Sequence, residues 1–542
     1  MMHMARATGD AKYLDAAVKL QAWSDNVTLP TGEFTNDLDP GSWKGITVFA
    51  AIALADALHH HGELLDAATR VRWRDRLSRA VKFLDGWMTL ETGNINYPLT
   101  SALAFTAAGQ VLGEQHYLDR GREFAQHALE YFTANNLLFG ENHPATALTA
   151  KHCRAVDIGY NVEETLPALA LYALRTKDQP VLDAVVKSLQ AHMQLMLPDG
   201  AWDNSWGSRM FKWTWWGSRT SDGCFPAYAL LSDRDARFAE VARRNLALMR
   251  ACTSDGLLYG GPHLKLNGDR PCVHHTFTHA KSLATVLDSG GPTVAAGEAQ
   301  LARDHASGII RFPEISTRLI SVGPWRATLT DYDLVYYKSQ TGHPTGGALS
   351  LLYHMVMGPI CVSSMTEYAL VEANNMQKHG DYPTMPLTPR VELILDNQTY
   401  TSLSDNEATV DEPAGIDGAF RARGRLLTAS DRKPTPTTAM YDISYSITEK
   451  NVRMTASISK GTGARLIVPV VSGSNEPFDR VDANKVQIRK LGGVLTVSST
   501  AAGALELLPK RVFNLVPGMQ CLVFTVPMTG EQSETIEISK AE

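Results

Sequence analysis

The stretch DGAWDNSWGSRMFKWTWWGSRTSDG, residues 199–223, carries five of the ten tryptophans of a 542-residue chain, interleaved with Arg209, Lys212 and Arg219. Indoles on a polar, turn-rich segment have two physical uses. They plug a core, with their N–H groups bonded to backbone, or they offer flat apolar faces on which pyranose rings stack. Three cations among them favour the second use, because a plug has no need of charge, whereas a guanidinium fork matches a sugar carboxylate bidentately. Trp202, Trp206, Trp213, Trp215 and Trp216, with Asn204 and Lys212 reading hydroxyls and carboxylates, are therefore expected to hold an acidic glycan.

Three further clusters carry groups able to do chemistry. In GNINYP, residues 93–98, Asn94, Asn96 and Tyr97 stand at a helix entrance, where unpaired backbone N–H groups attract anions. For these residues alone a turn and helix cap is the simpler account. KHCRAVDIGYNVEE, residues 151–164, brings His152, Arg154, Asp157, Tyr160, Asn161, Glu163 and Glu164 together just ahead of a helix. That is either an acid–base set or a solvated cap with incidental charges. In CVHHTFTHAK, His275 and His279 are four apart and share a helix face, a spacing that metal ligands use. The glutamate of HExxH is missing and no third ligand is evident, so no metal is expected and a hydrogen-bonded or substrate-facing histidine is preferred. His59, His60 and His61 close an amphipathic helix as partners of its dipole.

Absent motifs narrow the field. There is no G-x-S-x-G elbow, P-loop or dinucleotide fingerprint, so no cofactor is expected. A glycosidase with paired carboxylates, drawn from Asp203, Asp222 and Glu163, is the rival class, and a non-catalytic glycan-binding protein is the other. With 51 Lys and Arg against 57 Asp and Glu, the net charge of −6 offers no basic field for nucleic acid. No segment approaches the apolar length that crosses a bilayer, so no membrane partner is expected. The six cysteines lack metal or redox spacing and are read as buried free thiols.

Those clusters need elements to hold them. Up to about residue 288, apolar residues recur at three- and four-residue spacing in about ten segments, such as LLDAATRVRWRDRLSRAVKFLDGWM and QPVLDAVVKSLQAHMQLML. Beyond residue 308 the texture becomes alternating or continuously apolar and β-branched, as in RVELILDNQTYTSLS, ARLIVPVVSG and KVQIRKLGGVLTVSST. The expected fold is α+β and multidomain. An N-terminal α/α toroid of helical hairpins spans residues 1–290, a linker 291–308, and a C-terminal antiparallel β-sandwich 309–542. Loops at the toroid mouth would carry the tryptophan-rich stretch, and the turn HPTGG, residues 343–347, is placed leaning over that mouth.

The set EFTNDLDPGSWKG, GNINYP, DIGYNVEE, the tryptophan-rich stretch and VHHTFTH, followed by strands, resembles bacterial polysaccharide lyases with an α/α toroid, most closely glucuronan (cellouronate) and alginate lyases. The resemblance implies β-elimination at a uronic acid, in which a base takes the C5 proton, an acid protonates the leaving O4, and an unsaturated sugar remains. It implies His152 and Tyr160 as acid and base, Arg209 and Arg219 as carboxylate neutralisers, and Asn96, Tyr97, Asn204, His275 and His279 in support. The family pattern leads one to expect a tyrosine where this chain has Trp215, which passes the role of base to Tyr160 or Tyr97. It also implies a periplasmic or secreted address.

Overall fold

The computed structural model describes residues 1–542 apart from 296, 337–341, 368–384, 416–417, 460–462, 501–503, 529, 531 and 542. Ala296, in the expected linker, therefore lies outside the described residues.

Helices fill the chain up to Asp288: α1 Met2–Thr8, α2 Ala11–Trp23, α3 Thr47–His61, α4 Ala67–Trp87, α5 Asn96–Leu112, α6 Gln115–Ala128, α7 Ile158–Tyr160, α8 Leu166–Thr176, α9 Gln179–His192, α10 Phe225–Leu230, α11 Ala236–Ala251 and α12 Val273–Asp288. Local chemistry sets several starts. Asp66, Asp178 and Asp235 cap α4, α9 and α11 by accepting from the N–H groups of Thr69, Val181 and Arg237. Composition then sorts the helices into two layers. α5 is buried without a break from Pro98 to Gly109, and its run of Ala, Ser, Thr and Gly lets neighbours approach closely. α3, α5, α8, α10 and α12 pack on one another in turn, while α4, α6, α9 and α11 each pair with the preceding inner helix and show an exposed polar face.

Strands follow from Ser307. β1 Trp213–Thr214 with β2 Gly217–Ser218, and β3 Thr253–Ser254 with β4 Leu257–Leu258, are small hairpins within the helical region. Then β5 Ser307–Phe312, β6 Thr317–Val322, β7 Trp325–Thr330, β8 Ala348–His354 and β9 Gly358–Val362 form a five-stranded antiparallel sheet in chain order. A six-stranded and an eight-stranded antiparallel sheet complete the C-terminal region.

The apolar pattern of each strand reports its layer. Met440–Ile447, in the eight-stranded sheet, alternates: Tyr441, Ile443, Tyr445 and Ile447 point into one core while the residues between them face outward. Ala464–Val471, in the six-stranded sheet, is nearly all apolar because both its faces are covered. Leu466, Val468 and Val470 enter the core shared with the eight-stranded sheet, whereas Ile467 and Val471 enter a second core that includes Met210, Phe211, Trp213 and Trp215. The tryptophan-rich stretch thus lies between helices and sheets. The turn at 343–347 is buried, with His343 stacked 4.7 Å from the Tyr332 ring, and it does not form part of the cleft described next.

Candidate functional site

A cleft of about 590 Å³ opens on the helical region. Its walls take Trp43 from the loop before α3, Phe49 from α3, Asn94 and Tyr97 from the start of α5, His143 from the loop between α6 and α7, Tyr160 and Glu164 from the entrance to α8, and Arg209, Lys212, Thr220 and Asp222 from the tryptophan-rich segment. His274, Thr278 and Lys281 come from α12, and Tyr336, from the chain just beyond β7, brings the strand region into the wall.

Asp157 organises the centre. As the cap of α7 it accepts the Tyr160 N–H on Oδ1 at 3.1 Å, and on Oδ2 it accepts the Arg209 N–H at 3.0 Å and Asn204 Nδ2 at 3.3 Å. One buried carboxylate thereby sets the backbone of two cleft residues that are far apart in sequence. The Arg209 guanidinium lies over the Tyr160 ring, 3.8 Å from its centroid, and the Lys212 ammonium is 5.4 Å from the same centroid. The phenol oxygen meets the Thr220 hydroxyl. Two fixed cations beside a phenol stabilise negative charge that develops on its oxygen. Arg209 Nη1 also donates to Glu141 Oε2 at 3.0 Å, and burial raises the Glu141 carboxyl to about 7 against the pull of Arg209.

After Tyr160 the chain makes a π-helical turn, Asn161–Thr165, before α8. Such turns recur at functional sites because they redirect side chains out of helical register. Here Glu164 reaches the cleft wall and Glu163 does not. Asn96 Nδ2 donates to Glu164 Oε1 at 2.9 Å, and the Ser221 hydroxyl to Oε2 at 3.4 Å. Burial pushes the Glu164 carboxyl up to about 8, with the charges of Asp222 and Glu141 adding to the rise and the Asn96 hydrogen bond opposing it. Glu164 is therefore a neutral acid at pH 7.

That gives a pH prediction. With the folded value raised above the ordinary 4.5, the unfolded chain ionises first, so the fold is penalised progressively between about pH 4.5 and about 8 and no further beyond. Glu164→Gln keeps the acceptor for Asn96 and removes the titration. Relative to wild type it should gain on the order of 3 kcal/mol between pH 5 and pH 8.5, read from denaturant midpoints; equal pH dependence of the two proteins would refute the assignment.

The structure brings together Tyr160, Arg209, Tyr97 and Lys212 from the expected set, and moves the others elsewhere. The indoles of Trp202, Trp206, Trp213, Trp215 and Trp216 are each at most 1% exposed, and none belongs to the cleft wall. The stacking platform expected of them is corrected to a plug. Trp213 donates to the Trp202 carbonyl at 3.0 Å, Trp215 to Asp199 Oδ2 at 2.8 Å and Trp216 to the Tyr259 carbonyl at 2.8 Å. The departure at Trp215 is thus a matter of packing against the strand region. His152 is exposed, in a left-handed turn of φ 61°, and lies off the cleft wall. Arg219 is buried beside His275 and Gly260, behind the wall. Asn96 and Asn204 are buried supports of Glu164 and Asp157. His275 and His279 are buried against Trp216, with His279 Nε2 3.8 Å from Glu163 Oε1, and burial and Arg219 hold His275 well below the usual imidazole range. Of the rival carboxylates, Asp203 bonds the Thr328 and Ser205 hydroxyls and Glu163 accepts the Ser218 N–H, both away from the cleft, while Asp222 is paired with Lys281.

Reading of the sequence missed Trp43, His143, Lys281 and Tyr336, and of the three histidines in CVHHTFTHAK it favoured His275 and His279, whereas His274 is the one in the cleft wall. Trp43 had a signal in two glycines: a Cβ at Gly45 would meet its indole at 2.4 Å and one at Gly93 at 2.9 Å, so both positions make room for that ring.

Models of the ulvan lyase N-terminal and C-terminal domains match residues 1–304 and 309–541. A broad-specificity ulvan lyase of Formosa agariphila is 40% identical over 533 residues, covering 96% of this chain and 83% of its own. The chain belongs to the ulvan lyase family. It is a polysaccharide lyase. Solved structures share the fold of this lyase at low identity. A Paenibacillus xanthan lyase gives a TM-score of 0.54 at 13% identity, over 99% of this chain and 57% of that one. A heparinase III gives 0.51 at 11% identity, over 99% and 76%.

Proposed function

We propose that this lyase depolymerises ulvan, or a similar sulfated polymer containing uronic acid, by β-elimination in the cleft around Tyr160, and that its inner and outer helices make up an incomplete α/α toroid. The observation that carries the reading is the pairing of a phenol with two cations at the wall of an open cleft. The proton next to a carboxylate is a weak acid, so the reaction needs the carboxylate neutralised as negative charge moves onto it. A preorganised donor at such a place contributes about 3 kcal/mol. Arg209 takes that role. The Tyr160 oxygen accepts the C5 proton, the C4–O4 bond breaks as the C4=C5 double bond forms, and O4 collects a proton. In a glucuronate the C5 proton and O4 lie on one face, so the same phenol returns the proton it took. His143 and Glu164 line the same cleft and can donate the proton for a uronate whose proton and leaving oxygen lie on opposite faces.

Trp43 supplies the exposed aromatic surface that the buried tryptophans do not. It is 39% exposed, set edge-to-face against Trp87 at 5.5 Å and Tyr97 at 5.2 Å. Trp43→Ala is expected to raise KM for polymer about tenfold with kcat nearly unchanged, the loss of one stacking contact. An unaltered KM would remove the indole from the binding surface. A polymer too large to enter a cell fits a periplasmic or secreted address.

The test of the function is digestion of ulvan, glucuronan, alginate and hyaluronan in parallel, following ultraviolet absorbance and reducing ends together. Absorbing unsaturated ends from ulvan, with weaker or no release from glucuronan and alginate, supports the reading. Inactivity on ulvan with turnover of one of the others sinks it.

A further inference from the structure

Away from the cleft, three helices converge on one carboxylate. His3 of α1, His61 at the end of α3 and Asp288 at the end of α12 meet with His3 Nδ1 2.6 Å from Asp288 Oδ1 and His61 Nε2 2.9 Å from Asp288 Oδ2. One ligand atom from each residue lies within 4.8 Å of the other two. His61 is buried, with its side chain 3% exposed, while those of His3 and Asp288 keep 21% and 15%, so the cluster has a closed floor and one side open to solvent. Asp288 is seven residues beyond Lys281, about 10 Å further along α12 than the cleft wall.

We propose that His3, His61 and Asp288 bind a divalent transition metal of the zinc type, which fastens α1 to the ends of α3 and α12. Two neutral imidazoles and one carboxylate make an N₂O donor set, with water completing four-coordination. Such donors suit zinc and its neighbours, while calcium and magnesium demand oxygen ligands. A tetrahedral ion with bonds of about 2.0–2.1 Å needs ligand atoms about 3.3 Å apart. His3 and His61 meet different oxygens of Asp288, at 2.6 and 2.9 Å, so the carboxylate has to turn to present one oxygen to an ion seated between the two imidazoles. Ligands drawn from residues 3, 61 and 288 make binding a constraint on the folded chain.

The test uses the full chain, stripped with a chelator and titrated with Zn²⁺ by calorimetry, with bound metal counted by elemental analysis. We expect one ion per chain, a thermal midpoint raised by about 2–4 °C at saturation, and visible d–d absorption of four-coordinate character with Co²⁺. His3→Ala, at the partly exposed corner, and Asp288→Asn should each lose the ion and the thermal shift. His3→Ala should keep wild-type turnover on polymer, since the residue lies outside the cleft. Failure of the wild type to bind zinc overturns the proposal. So does retention of one equivalent in both variants, which would place the ion on other histidines.

Discussion

Tyr160→Phe should lower kcat on ulvan about a thousandfold and leave KM within about threefold. The substitution removes one atom. The ring is 3% exposed and stays under Arg209 and Lys212, so packing and the cation contacts persist, and the lost bond to Thr220 costs only about 1 kcal/mol. A thermal midpoint close to wild type will therefore separate a chemical defect from a folding one. Tyr97 and Tyr336 also line the cleft and are the internal controls. Tyr97→Phe and Tyr336→Phe should each retain most of kcat. If Tyr160→Phe keeps more than about a tenth of wild-type turnover, the phenol is not the base, and whichever control collapses names its replacement.

Much of the architecture was legible because period and composition report directly on burial. Helices form where apolar residues recur at helical spacing, and the continuous apolar run of Ala464–Val471 against the alternation of Met440–Ile447 separates a strand covered on both faces from one with an open face. The cleft was legible in part. The cluster 151–164 reads as either an acid–base set or a solvated cap ahead of a helix, and the structure buries Asp157 as the cap of α7, with the backbone N–H groups of Tyr160 and Arg209 bound to it. The tryptophan-rich stretch misled, because clustering reveals that aromatic surface must be covered but not by what. In this fold the five-stranded and six-stranded sheets cover Trp213 and Trp215 and the helical core takes in Trp202, Trp206 and Trp216, and cations counted as evidence for a glycan divide between cleft and interior: Arg209 and Lys212 reach the wall, while Arg219 stops behind it. His152 looked favourable by proximity to Tyr160, yet the turn at Lys151–His152 sends it to the surface. His143 and Tyr336 each arrive alone on separate segments, and His274 comes with Thr278 and Lys281 on α12, so nothing short of tertiary structure assembles them.

Arg209 has two partners, and a pair of substitutions separates its two duties. Arg209→Met should cut kcat/KM on ulvan by 10²- to 10³-fold, the usual consequence of removing one donor to developing charge. It should also destabilise the fold, because Glu141 is fully buried and loses the guanidinium that holds its charge. Removing one member of a buried ion pair costs about 3–5 kcal/mol. The cost must depend on pH in a defined direction. Burial already raises the Glu141 carboxyl to about 7, and without Arg209 it rises further. Wild type and variant share the penalty between the ordinary 4.5 and about 7; above about 7 the variant alone keeps holding a proton that the unfolded chain has released, so its deficit against wild type grows as pH climbs past 7 and is least in acid. Adding Glu141→Gln removes the charge that Arg209 no longer balances. The double variant Arg209→Met, Glu141→Gln should regain most of the lost stability at pH 8 and none of the lost activity. Recovery of both would show that Arg209 matters only as a prop for Glu141, and the carboxylate of the sugar would then need another neutraliser. Recovery of stability alone assigns the guanidinium to the substrate, because the same fold, restored, still lacks the fork that lies over Tyr160, and Lys212 at 5.4 Å does not replace it.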